Sequence, residues 1–398
     1  MPQRERAGRV TRPARPPDGA WCAGKPPGRR SFGPLTTVGG RLVWLDVARG
    51  LAVIFMVCQH VQIMFAADAG EGSAVGELFL LLGTAPAAPV FMVAMGFLFG
   101  SRRAARVMEG VLRGAGLFAL GYALNLARFT LPMLVAEASD SQTGAGAVDA
   151  VLGGPLEALL LVDILQLAGL SLVVMALCRP LLRDPRLVVA LALVVFTVAP
   201  LLWGVDGDLT APLWGAGDAV AFPLFPWLGY PLLGLAFAQV AQRSRDERRL
   251  MLRTCLAAVF ALVVGGVLVL VAPAAGTILG IGDYFHSGLP VHLAITGFVF
   301  LWLTGLWWLT RTVPRTIARR YLTSLSRHLT PVYVIQWILI GWLAIVFGVV
   351  SLEPAVAAAL AVPILIASHL LAIAWDRGRG RVVARRVRAP GAAEVADA

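Results

Sequence analysis

Ten stretches of the chain are apolar and long enough to cross a bilayer as helices: residues 43–66, 76–99, 111–128, 157–178, 187–204, 221–240, 252–272, 289–309, 329–349 and 354–375. The third and fifth are short for a span. The connections between them alternate in kind. The segment before the first run, every even-numbered connection and the segment after the last run carry the arginines. These are Arg102, Arg103 and Arg106; Arg179, Arg183 and Arg186; Arg243, Arg245, Arg248 and Arg249; Arg311, Arg315, Arg319, Arg320 and Arg327; then Arg377, Arg379, Arg381, Arg385, Arg386 and Arg388. The odd connections are acidic or neutral, with Asp68 and Glu71; Glu137, Asp140 and Asp149; Asp206, Asp208 and Asp218; Asp283; and Glu353. Arginine-rich loops stay on the cytoplasmic side. The pattern therefore predicts an all-α, polytopic integral membrane bundle of about ten transmembrane helices, with both termini cytoplasmic, multi-pass in the cell membrane and surrounded by membrane lipid.

Composition agrees. Of 398 residues, 58% are hydrophobic and 14% charged, where a soluble domain carries about 25% charged residues. The sequence pI near 10.6 reflects topology. The arginines are scattered over short loops without interleaved aromatics, which excludes a nucleic-acid surface. The four cysteines, Cys22, Cys58, Cys178 and Cys255, have no metal-type spacing and predict neither a disulfide framework nor a metal site. One lysine against 33 arginines fits a GC-rich bacterial genome.

Residues 1–40, rich in Pro, Gly and Arg, read as a disordered basic cytoplasmic tail, or equally as an over-extended start. Residues 41–376 form one membrane domain without visible internal repeats, and 377–398 a basic cytoplasmic C-terminal tail. The first apolar run is no signal peptide. It is too long, begins too late and contains charge.

That charge is the main chemical signal. Asp46, Arg49 and His60 lie in the first helix, although a charge at mid-membrane costs roughly 2.5–3.5 kcal/mol. Arg49 and His60 are eleven residues apart, which returns them to within about 20° of one face, about 16 Å apart along the axis. Asp46 and Arg49 can pair across one turn. Such a pair orients the helix, or leaves Arg49 to meet an anionic group such as phosphate. His60 is the natural general base near neutral pH, and equally a satisfied structural histidine. Asp163 and Gln166 lie at a similar depth in the fourth run, and Asp163 facing His60 would hold its ring. Asn125 and Arg128 end the third run. Arg128, the one basic residue on the outer side, is a candidate to bind an anion or pair with Asp163. The alternative is an interfacial arginine. His292, His328 and His369 have no evident partner in sequence.

These residues bring a family into view. Arg49, ten intervening residues, then His60, inside LDVARGLAVIFMVCQHV, resembles the opening helix of the transmembrane acyltransferase superfamily. APVFMVAMGFLFGSRR resembles its second helix. DILQLAGLSLVVMAL and AFPLFPWLGYPLLGLAFAQ resemble helices of the heparan-alpha-glucosaminide N-acetyltransferase branch. SLSRHLTPVYVIQWILI resembles a late helix of acyltransferase-3 proteins, which often carry His where Gln336 stands here. The resemblance spans roughly residues 41–350. It implies transfer of an acetyl or other short acyl group from cytoplasmic acyl-CoA to a sugar hydroxyl or amine of an envelope glycan or glycolipid. Acetyl-CoA is then a donor substrate, with no permanently bound cofactor. It implies His60 as base or acyl carrier, with Arg49 as its conformational or donor-binding companion; Asp163, from its depth in the fourth run, is the expected catalytic partner of His60. Arg49, Asp46, Arg128, Gln166 and Asn125 are the expected substrate- and donor-binding residues. The competing expectation is a proton-coupled transporter or flippase using Asp46, Arg49, His60 and Asp163 as a relay. Oligomeric state, a homodimer included, stays open.

Overall fold

The computed structural model describes residues 35, 37, 41–67, 72–102, 107–138, 153–205, 207, 210–271, 283–313 and 316–388, with side chains through 379. The basic segment 1–34, Asp68, Glu71, Arg103, Arg106, Asp140, Asp149, Asp206, Asp208, Arg315 and the last ten residues lie outside the described residues.

The described chain is all helix, with two isolated bridges and no strand. The helices are α1 (Val43–Phe65), α2 (Ala74–Gly83), α3 (Ala88–Gly100), α4 (Val107–Asn125), a π turn (Leu126–Thr130), α5 (Leu131–Ala138), α6 (Pro155–Leu160), α7 (Ile164–Leu177) and α8 (Pro185–Leu202). There follow α9 (Ala211–Trp214), α10 (Leu224–Trp227), α11 (Gly229–Arg243), α12 (Glu247–Val271), α13 (Leu289–Thr312), α14 (Ile317–Arg327), α15 (Leu329–Phe347) and α16 (Pro354–Arg388). Nine segments among the described residues are long and apolar enough to cross a membrane, and Ile164–Leu177 is a shorter apolar helix.

Each predicted run is helical, but four are not simple rods. The second is interrupted at Thr84–Ala87, where Pro86 and Pro89 lack the N–H that would continue the ladder. The third runs on through the π turn to Ala138. The sixth is divided into α10 and α11. The fourth breaks at Leu161–Asp163, with α6 before and α7 after. The last helix passes the expected boundary at 376 and continues to Arg388.

α1 belongs to both apolar cores. Its first half shares a core with residues of α3, α7, α8, α11 and α13, and its second half shares one with residues of α4, α15 and α16. Glycines let helices touch backbone to backbone. A Cβ on Gly96 would stand 1.9 Å from the Pro231 carbonyl oxygen, and one on Gly234 2.0 Å from that of Val93, so α3 and α11 cross at closest approach. Gly114 and Gly169 do the same for α4 and α7 at 2.5 and 2.6 Å. Small residues at such crossings are how membrane helices gain van der Waals contact where lipid is as apolar as the partner.

The arginine-bearing ends converge. Arg179 donates to the Arg102 carbonyl, Gln242 to that of Gly100 and Arg243 to that of Arg183, each at 2.9 Å. This is the basic end of the bundle. At the opposite end, Ala67 and Ser351 backbone bonds tie the end of α1 to the α15–α16 connection.

Candidate active site

The break in the fourth span builds the site. Helix α7 starts inside the bundle with Asp163 as its N-cap. The Asp163 carboxylate accepts from Ile164 N at 2.7 Å, and Gln166 Oε1 accepts from Asp163 N at 3.2 Å, a reciprocal capping box. The interruption frees carbonyls that must be satisfied away from water. Asn125 donates to the Leu159 and Leu161 oxygens at 2.9 and 2.7 Å, and Gln166 donates to Leu161 at 3.1 Å. Val162 pairs with the segment around Val220. Asn125 and Gln166, expected at a substrate surface, are fully buried. Their amides hold the broken helix, and neither lines the cavities described below.

The π turn carries Arg128. Its guanidinium is 1% exposed and is no interfacial arginine. Nη2 lies 2.8 Å from Asp163 Oδ2 and 2.8 Å from Asn125 Oδ1. Nε and Nη1 are buried without a hydrogen-bond partner. A π turn shifts the register of the side chains that follow, and such turns gather at functional sites. Gly341 of α15 lets the turn approach: a Cβ there would meet the Arg128 carbonyl oxygen at 1.7 Å.

Contrary to the expectation from sequence, His60 does not bond Asp163 directly. The Asp163 carboxylate is taken by Arg128, by Ile164 N and by the Tyr333 hydroxyl, which donates to Oδ2 at 2.8 Å. His60 instead meets α15. Its Nδ1 lies 2.9 Å from the Gln336 amide nitrogen. Its ring packs on Trp337 with centroids 4.2 Å apart and meets the Tyr333 edge at 6.2 Å. The Arg128 guanidinium stands 4.4 Å from the Trp337 ring centroid, so Trp337 contacts both. No described residue bonds His60 Nε2. Tyr333, Gln336 and Trp337 were not singled out as site residues by the sequence. Their i, i+3, i+4 spacing in TPVYVIQWILI puts them on one helix face, and that polar-aromatic face is the signal that could have revealed them.

Asp46 is 6% exposed and held mainly by Arg41, whose Nε and Nη2 bond both carboxylate oxygens at 2.7 and 2.8 Å, and by Ser326 Oγ at 2.9 Å. Arg49 is farther off, 3.8 Å from Asp46 Oδ1. The expected Asp46–Arg49 pair is thus secondary, because Arg41 offers a bidentate fork.

Two cavities meet at this site. One extends from Arg49, Arg102 and Arg113, the last 3.4 Å from Glu109, at the basic end along an apolar shaft of Met95, Leu98 and Leu172. The other contains His60, Asp163, Arg128 and Trp337 and extends past Phe222, Tyr284 and Phe285. They share Met56, Phe91, Ile164 and Tyr333. The loop holding Tyr284 and Phe285 is fixed by Asp283. Its carboxylate accepts from Phe285 N at 2.8 Å and His286 N at 2.6 Å, and it faces His286 Nδ1 at 3.2 Å. Burial alone would raise the Asp283 carboxyl, but these bonds outweigh it and hold the group below its ordinary range.

The remaining histidines have partners away from this centre. His292 is fully buried, bonded to the Tyr230 hydroxyl at 2.8 Å and stacked on Phe196. At the basic end His328 Nε2 is 3.4 Å from Asp376, and His369 bonds Ser324 at 3.0 Å. Cys58, Cys178 and Cys255 are free. No metal-binding cluster occurs among the described residues.

In this polytopic helical bundle a half-buried histidine stands where a shaft from a basic mouth meets an aromatic-lined chamber. The acyltransferase domain family matches the chain over residues 42–373, nearly the whole membrane bundle, and the chain belongs to that family. It is a multi-pass membrane acyltransferase, and the transport reading of the same polar residues gives way to this one. Comparison with curated proteins returned no match.

Proposed function

We propose that the protein moves an acetyl or other short acyl group from acyl-CoA, entering at the basic end, to a sugar hydroxyl or amine of an envelope glycan or glycolipid reaching the chamber beyond His60. The basic end is then the cytoplasmic one, as positive-inside topology requires, and the membrane is the cell membrane. The observation that carries the reading is the meeting of the two cavities beside His60. A long, thin thioester fits a narrow apolar shaft with arginines at its mouth, where phosphates would bind Arg49, Arg102 and Arg113. Asp46 and its Arg41 fork fix the start of α1, on which Arg49 is carried.

His60 Nε2 removes the acceptor proton as its oxygen or nitrogen attacks the thioester carbonyl. The tetrahedral intermediate collapses, the carbon–sulfur bond breaks, and the imidazolium returns the proton to the leaving thiolate. A basic Nε2 requires the proton on Nδ1. The Gln336 amide supplies the acceptor for it when its oxygen faces the ring, an orientation related to the other by a half-turn of the amide. The unpartnered Nε and Nη1 of Arg128 are donors for the oxygen on which charge develops. Asp163, itself held by the Tyr333 hydroxyl, and Asn125 hold Arg128 in place.

Membranes containing the wild-type chain or His60→Ala at matched expression, given radiolabelled acetyl-CoA, test this. Label entering a glycan or glycolipid with wild type alone supports the reading. The expected loss is about 10²–10⁴-fold, the contribution of a positioned base. Equal labelling would remove His60 from the chemistry.

A further inference from the structure

Away from the acyl-transfer centre, an apolar groove runs up the side of the bundle between α8 and α12, floored by α11 and α13. Leu193 of α8 and Ala257 and Phe260 of α12 form its walls, with Leu233, Phe237 and Phe300 beneath. The groove exists because α12 packs along α13 and makes no comparable contact with α8. Its basic end carries Arg243 and Arg253, both exposed, beside Ser244 and Thr254.

The acidic side chains nearby do not neutralise these arginines. Asp246 faces Arg249 at 3.4 Å, and Glu247 pairs with Arg311 and accepts from Trp307. Arg243 donates one bond to the Arg183 carbonyl, and Arg253 has no ion pair among the described residues. The groove extends from these arginines to Leu233 and Ala261, roughly 12–15 Å at 1.5 Å per residue. That is the depth of one leaflet, half of a hydrocarbon core about 30 Å thick.

We propose that this groove is a binding site for an anionic phospholipid of the leaflet at the basic end. One acyl chain lies between α8 and α12, and the phosphate sits between Arg243 and Arg253. The apolar walls match a chain, the depth matches a leaflet, and two guanidinium groups at the headgroup level match a net negative charge. A zwitterionic lipid brings an ammonium into the same place and loses that complementarity. Each basic residue near an anionic surface is worth about a fivefold gain in affinity.

Native mass spectrometry of the full-length protein, titrated with dioleoylphosphatidylglycerol or dioleoylphosphatidylcholine, tests this. The wild type should bind the anionic lipid about tenfold more tightly or better. Arg243→Gln combined with Arg253→Gln should weaken that binding by about 25-fold and abolish the preference. Ala257→Phe, at an exposed groove position, should block both lipids while leaving the two arginines in place. Thermal melting of each variant checks that the bundle is intact. Three results would overturn the site: undiminished anionic-lipid binding in the double variant; undiminished binding in Ala257→Phe; or a change from dimer to monomer in Ala257→Phe, which would assign the groove to a second copy of the chain.

Discussion

Gln336 is the residue on which the His60 assignment turns, because the account makes it the acceptor for Nδ1–H. Gln336→Met fills similar space without an acceptor. It should lower kcat by about 10²-fold, the low end of what a positioned base contributes, and leave the donor KM unchanged. Gln336→Glu keeps an acceptor against Nδ1–H and should retain most of the activity. Steady-state kinetics on purified protein distinguishes these outcomes, and full activity retained in both variants would mean that Gln336 only fills space. At this scale the sequence was informative for His60 and Arg49, which stand out as polar groups in an apolar helix. It was less informative for Asn125 and Gln166. A buried amide reads the same in sequence whether it meets a substrate or the carbonyls of a broken helix. Only the break shows which it does.

Among the elements, the interrupted fourth span and the π turn after α4 do the positioning, and neither was legible in hydrophobic pattern. The run 157–178 is apolar throughout apart from Glu157, Asp163, Gln166 and Ser171. The backbone leaves the helix at Leu161 because Asn125, Gln166 and the Val220 segment satisfy the freed groups. Those partners are distant in sequence, so local periodicity does not contain them. The π turn depends in the same way on α15, where Gly341 admits the Arg128 carbonyl. Gly341→Leu should push α15 from the turn, destabilise the bundle by about 1–3 kcal/mol of overpacking and move Arg128 relative to Trp337. The expected outcome is a lower melting temperature together with lost transfer. Unchanged transfer would show that the turn tolerates displacement.

For the whole molecule, the apolar runs were legible as helices, nine of them long enough to span among the described residues, and the family match covers nearly the same residues. The meeting of two cavities was not foreseeable, since it joins α1, α3, α7 and α15. On the proposed function, donor and acceptor are bound at different depths along the membrane normal. Arg102→Gln and Arg113→Gln, at the mouth of the shaft, should each raise the acyl-CoA KM by about tenfold, the loss of one charge-assisted hydrogen bond. Neither should change kcat or the acceptor KM, and donor titrations at saturating acceptor measure this. Sealed proteoliposomes with the protein in one known orientation test whether transfer is vectorial. Labelled acetyl-CoA is supplied only at the basic face, and an impermeant acceptor only at the opposite face. Labelled acceptor is expected with the membrane intact, and none when the two substrates exchange sides. Transfer only after the vesicles are opened, or equal transfer from either side, would contradict vectorial transfer.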